Sequence, residues 1–153
     1  MNLFGNEELL DRHLVAFFAS RDVTPHDVQL ARQWAESICQ TDKVVISGFH
    51  SPLEKEVLSI LLENHHPVII ALGRTLYKKI PPYLQSALDE GRLLFVSMCE
   101  YSRHSCKSAE TRNWNVAHMA DEIYFSRFVK PSLLSTMYYT IDYCGSTPTY
   151  ILE

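Results

Sequence analysis

The stretch over residues 43–58, KVVISGFHSPLEKEVL, constrains the fold more than any other part of this chain. Val44, Val45 and Ile46 form a short β-branched apolar run, the pattern of a strand buried on both faces. Ser47-Gly48 ends the run, and Gly48 permits either a positive φ or the close approach of another group. Ser51-Pro52-Leu53-Glu54 then reads as a helix start. Ser51 caps, Pro52 takes the first helical position where a missing N–H costs nothing, and Glu54 reaches back to the cap. A helix starting just past the carboxyl end of a parallel strand directs N–H groups and a positive dipole end into a crevice that suits phosphate. The same pattern fits an ordinary βαβ turn in which Glu54 itself neutralises the helix end.

The rest of the chain repeats this unit. Apolar runs over 13–19, 43–47, 68–72, 93–97, 122–126 and 149–152 predict six strands. Helices are expected from Thr24-Pro25 to Cys39, from Ser51 to Asn64, from Pro81-Pro82 to a stop at Gly91, over 108–120 and over 131–143, with Ser132 as the cap of the last. Residues 7–12 read as a helical turn or loose lead-in, and 98–107 as an irregular polar loop. The alternation predicts a three-layer, doubly wound, mostly parallel six-stranded α/β sheet of the Rossmann-like kind, as a single domain over 1–153.

Charge and cysteine usage narrow the function classes. The 153 residues carry a net charge of −4, so no bulk basic field draws in nucleic acid, although a local basic rim is compatible with it. The acidic start (Glu7, Glu8, Asp11) lacks the basic region of a signal peptide, and no apolar run is long enough to span a bilayer. A cytoplasmic protein with reduced thiols at Cys39, Cys99, Cys106 and Cys144 is therefore expected.

In a doubly wound sheet, ligands bind outside the carboxyl ends of the strands. The loops arriving there carry Ser20 and Arg21, Ser47 to Ser51 (with Gly48, Phe49 and His50), Gly73 and Arg74, and the helix start near Arg112 and Asn113. Arg21, Arg74 and Arg112 could fork onto phosphate oxygens, or each could be a surface arginine paired with an acidic neighbour.

The order of these segments resembles the DNA-processing protein A family. LVAFFASRDVTPHDVQLARQWAE is similar to its first βα unit, with Ala19 where a glycine is usual before Ser-Arg. VVISGFHSPLEKEVL resembles its glycine-rich second turn, GRLLFVS its fourth strand, and ETRNWNVAHMADEIYFS its Arg-Asn helix and fifth strand. The similarity covers residues 14–134 and is nearest to a short branch carrying S-G-F-H-S-P-x-E-K. The resemblance implies a nucleotide-binding Rossmann-like protein of the SLOG superfamily, distantly related to the "lonely guy" phosphoribohydrolases. It implies a phosphate or nucleic-acid site on Ser20, Arg21, Ser47, Gly48, Arg112 and Asn113. Ser51-Pro52-Leu53 replaces the family's Gly-Ile-Asp, and Trp114 its second arginine.

Other chemistries have weaker support. There is no G-x-G-x-x-G, no Walker A loop and no P-G-G-x-G-T stretch. Cys99, His104 and Cys106 lack the fourth ligand and tight pairing of a structural zinc site, so no metal is expected. Cys99 and Cys106 read as loop thiols rather than nucleophiles. His50 could bind phosphate or act as a base, and His65-His66 reads as a solvated helix end. Trp114, Tyr124, Phe125, Phe128, Tyr138, Tyr139 and Tyr143 are expected mainly in the core, with the Tyr-rich last helix as a potential homodimer face. The leading expectation is a sensing or accessory module that binds a nucleotide or another phosphorylated small molecule. The alternatives are a nucleotide-processing enzyme using Glu54 or His50 as acid/base, and a protein that binds single-stranded DNA through a basic rim.

Overall fold

The computed structural model describes residues 1–99, 103 and 105–153. Among them, seven strands form one sheet: β1 (Asn2–Gly5), β2 (Leu14–Phe18), β3 (Val44–Ser47), β4 (Val68–Leu72), β5 (Leu93–Ser97), β6 (Glu122–Phe125) and β7 (Thr149–Ile151), in the order β1-β5-β4-β3-β2-β6-β7. All pairings are parallel except β1 with β5. The helices are α1 (Pro25–Ile38), α2 (Pro52–Glu63), α3 (Pro82–Asp89), α4 (Cys106–Met119) and α5 (Leu133–Cys144), with a 3-10 turn over Glu7–Asp11.

The doubly wound α/β expectation holds, with one more strand than the sequence pattern predicts. β1 has only two apolar residues and lies antiparallel at the sheet edge. Its end depends on Gly5, which has φ +123° and where a Cβ would sit 2.3 Å from the Leu93 carbonyl oxygen.

Apolar side chains alternate between the two faces. Val15 and Phe17 of β2 join a core with α1, α2 and α3, whereas Leu14, Ala16 and Phe18 join a second core with α4 and α5. The chain walks outward from β2 to β5 on the first face, and α4 then returns it on the second face to β6, beside β2. The strand order therefore reverses at β2 and β6, and their carboxyl ends open a crevice.

Several local expectations change. α4 begins two residues earlier than expected, because Ser105 caps it and Ser108 completes the capping box. α5 begins after its cap Ser132, at Leu133. His66 is 4% exposed, not solvated, and its Nε2 donates to the Lys43 carbonyl at 2.5 Å. Tyr139 and Tyr143 face outward, while Tyr138 packs against Phe125 and Phe128. Residues 100–102 and 104 of the expected polar loop, including Glu100 beside Cys99 and His104 of the candidate metal trio, lie outside the described residues.

Candidate functional site

Three helix starts face the crevice at the end of β2. Ser51, Ser105 and Ser132 cap α2, α4 and α5, each through a reciprocal capping box. The loops after β2 and β6 are tied together: the Ser20 N–H donates to Ser126 Oγ at 2.9 Å, and the Ser126 N–H donates to the Phe18 carbonyl at 2.9 Å. A cavity of about 520 Å³ lies between these elements, and Ser20, Arg21, His50, Ser51, Arg112 and Asn113 all line it. Gly48, Phe49, Gly73 and Arg74 line a different cavity, of about 350 Å³, on the α2–α3 side of the sheet. A third cavity, of about 380 Å³, runs beneath α4 between Met98, Lys107, Thr111 and Asn115.

Arg112 borders all three cavities. It is 7% exposed, and its guanidinium rests directly on the β3–α2 turn. A Cβ on Gly48 would lie 2.4 Å from Arg112 Cζ and 2.5 Å from Nε and Nη1. Gly48 is thus required for close approach. The residue with positive φ in this turn is Phe49, at +48°, whose ring is buried in the core. Arg112 Nε donates to Asn113 Oδ1 at 3.0 Å. Burial lowers the Arg112 pKa from its ordinary value, and the Glu54 carboxylate opposes that shift. Among the described residues no carboxylate forms an ion pair with Arg112.

Glu54 occupies the seat that the sequence pattern offers to phosphate. It is 5% exposed; Oε2 accepts the Ala19 N–H at 3.0 Å, and Oε1 accepts the His50 and Ser51 N–H groups at 2.9 and 3.3 Å. A cradle built from Ser51 and its neighbours is therefore corrected, because their N–H groups already have an acceptor. Glu54 itself, expected as a weak acid/base candidate, is a capping anion with both oxygens committed. Ser47 is fully buried, and its Oγ accepts the Phe49 N–H at 3.1 Å, so it shapes the turn and does not face a ligand. Ser20 Oγ accepts the Asp22 N–H at 3.3 Å and orders its own loop. Asn113 orients Arg112. What faces the cavity as a cation is Arg112, with exposed Arg21 at the rim.

The charge distribution carries a signal that the net charge hides. Apart from Arg12, Arg32, Lys43 and Arg92, every Lys and Arg lies in a loop leaving a carboxyl strand end or in the first two turns of the next helix. Those exceptions each bond an acidic residue: Arg32 to Glu56, Lys43 to Glu122, Arg92 to Glu90, and Arg12 to the Asp42 carbonyl. Acidic residues lie at both edges: Glu36, Asp42, Glu63, Asp89, Glu90, Asp121 and Asp142 at the opposite one, and Asp22, Asp27, Glu54, Glu56 and Glu110 beside the basic groups. Ser105 was not among the expected site residues, although Ser105-x-x-Ser108 was readable as a cap, and Cys106, expected as a loop thiol, opens α4 and borders the cavity. Among the described residues no group of three or more His, Cys, Asp or Glu could hold a metal ion. No helix among them is long and apolar enough to cross a membrane.

The topology and this edge define a doubly wound α/β domain with a buried arginine, Arg112, in the crevice at the carboxyl ends of its strands, where Glu54 and Glu110 also line the cavity. The chain belongs to the DNA recombination-mediator protein A family, whose sequence profile matches residues 1–127. The fold is similar to that of DNA processing protein A from Helicobacter pylori, with a TM-score of 0.76 at 19% identity, covering 97% of this chain and 69% of that one. DNA processing protein A from Streptococcus pneumoniae is similar with a TM-score of 0.66 at 15% identity, covering 99% of this chain. This chain spans 62% of the length of the Streptococcus protein. A search of curated proteins finds no match.

Proposed function

We propose that this chain is a DNA-processing module that binds single-stranded DNA along the carboxyl edge of its sheet and seats a backbone phosphate on Arg112. The observation that carries this reading is the buried Arg112 guanidinium, which feels the Glu54 carboxylate but forms no ion pair among the described residues. A buried charge is costly unless paired, and a phosphate supplies the missing anion in fork geometry. The gathering of basic residues in the loops and helix starts at the carboxyl edge supports a polyanion as partner. Basic groups collected at one edge attract a nucleic-acid strand even at a net charge of −4. The DNA processing protein A of Helicobacter pylori binds single-stranded DNA, which agrees with this reading.

Fluorescence anisotropy with an oligothymidylate tests it. Binding should weaken steeply with salt, with a log–log slope of about −0.7 per phosphate contacted. Arg112→Gln should cost roughly tenfold or more in affinity, as expected for a charge-assisted hydrogen bond. Absence of binding at low salt refutes the proposal.

A second reading, a free nucleotide as ligand, draws support from the 520 Å³ volume of the cavity beside Arg112. That volume falls in the range of small-molecule sites. A nucleoside monophosphate at a hundred times its dissociation constant should then add about 2.7 kcal/mol of stability. No thermal shift across the common nucleotides removes this reading.

A further inference from the structure

The cavity beneath α4 takes no part in the phosphate site, and it arises from what α4 lacks. A helix lying on a sheet normally turns an apolar stripe toward it. In α4 the buried apolar residues, Val116 and Ala117, come only in the third turn, and the buried residues of the first two turns are Ser108 and Arg112. The floor under those turns is nonetheless apolar: Ala71 and Leu72 end β4, and Val96 and Met98 come from β5 and its exit. A polar wall over an apolar floor packs incompletely, which leaves a space of about 380 Å³. That volume lies in the range of small-molecule sites. Met98 at the rim is 40% exposed, and its loop is held by Ser97, whose Oγ accepts the Cys99 N–H at 3.4 Å and donates to the Cys99 carbonyl at 3.3 Å.

The wall has its own order. Lys107, Thr111 and Asn115 recur every four residues and line the cavity as one stripe of α4. Among the described residues no hydrogen bond or ion pair engages their side chains. Thr111 does not turn its hydroxyl back onto its own helix, as Thr136 does in α5 by donating to the Ser132 carbonyl at 3.1 Å. Lys107 and Arg112 border the cavity as cations, and among the described residues no carboxylate lines it, whereas Glu54 and Glu110 line the cavity on the β2–β6 side. An apolar floor, an uncommitted hydroxyl and amide, and uncompensated positive charge together suit a molecule with an apolar body and one anionic head. We infer that the cavity beneath α4 binds a small amphiphilic carboxylate, its body on Ala71, Val96 and Met98 and its head at Lys107 and Thr111. A nucleic-acid strand is a poor occupant, because its repeating phosphates gain nothing from an apolar floor. The inference does not depend on the strand reading, since the two sites share only the Arg112 wall.

The test is an NMR titration of the isotope-labelled chain with butyrate, hexanoate, octanoate and uncharged octanol. Octanoate should move the amide signals of Ala71, Val96, Lys107 and Thr111. Affinity should rise about two- to fourfold per methylene from butyrate to octanoate. Octanol should bind about fivefold more weakly than octanoate, the scale of one rim ion pair, and Lys107→Gln should remove that difference. Ala71→Leu fills the floor and should abolish binding. Thr111 is exposed, so Thr111→Phe closes the cavity from its wall and reads out the site even where Ala71→Leu disturbs β4. No shift with millimolar octanoate overturns the inference. So do an affinity indifferent to chain length, octanol binding as tightly as octanoate, shifts confined to Ser20 and Arg21, and binding that survives Thr111→Phe.

Discussion

Gly48→Ala isolates the contact on which the proposed site depends. The new methyl would meet Arg112 Cζ at 2.4 Å and Nε and Nη1 at 2.5 Å, where ordinary contact needs about 3.5–4.0 Å. The backbone at Gly48 is outside the left-handed region, so alanine fits the turn itself and the conflict is with the guanidinium alone. That group is the far end of a flexible side chain and must retreat by about 1 Å or more, at a stability cost of about 1 kcal/mol, the low end for overpacking. Its retreat takes the buried cation off the phosphate seat. Losing one charge-assisted hydrogen bond of about 1.5–3 kcal/mol should weaken oligothymidylate binding by roughly tenfold to a hundredfold. Anisotropy titrations at one fixed salt concentration measure the affinity, and urea unfolding measures the stability. Because Gly48 acts only through Arg112, Gly48→Ala combined with Arg112→Gln should bind no more weakly than Arg112→Gln alone. Unchanged affinity in Gly48→Ala, or additive losses in the double variant, refutes the reasoning.

Three further outcomes follow from the same geometry. Glu54→Gln replaces one acceptor oxygen by a donor facing a backbone N–H, either Ala19 or the His50–Ser51 pair. It should cost about 3 kcal/mol and lower Tm by roughly 6–12 °C, and an unchanged Tm would mean that Glu54 does not hold the turn. Burial lowers the His66 pKa below its ordinary value, with Arg12 adding to the shift and the Lys43 carbonyl and Asp42 opposing it. The folded state then binds fewer protons at this group, so its contribution is fully present above pH of about 6.5 and is lost as pH falls toward the folded value. The urea midpoint of the wild type should drop from pH 7 to pH 5, and that part of the drop should vanish in His66→Asn. Gly5→Ala forces a methyl to 2.3 Å from the Leu93 carbonyl at φ +123° and should cost about 2 kcal/mol. Hydrogen exchange should quicken first in β1 and in its partner β5, and exchange that stays slow there would contradict the edge register.

The strand-and-helix plan was determined by the amino-acid order alone. Runs such as VIIAL and LLFVS, apolar on both faces, read as interior strands, and Thr24, Ser51 and Ser132 announce their helices through capping chemistry local to four residues. β1 escaped because two apolar residues make no period, and it exists through its register against β5. The crevice residues Ser20, Arg21, His50, Ser51, Arg112 and Asn113 were also legible, since strand carboxyl ends collect the loops of any doubly wound sheet. Which of them faces a ligand was decided only by tertiary packing. Glu54 sits one helical turn from Ser51 in sequence, yet its second oxygen is taken by Ala19, 35 residues earlier, and that long-range bond closes the helix end to phosphate. Arg112 comes from another helix on the opposite face and reaches its place only because Gly48 leaves room. The gathering of basic residues at one edge is likewise invisible in a net charge of −4, because successive βα units bring loops distant in sequence to the same end of the sheet.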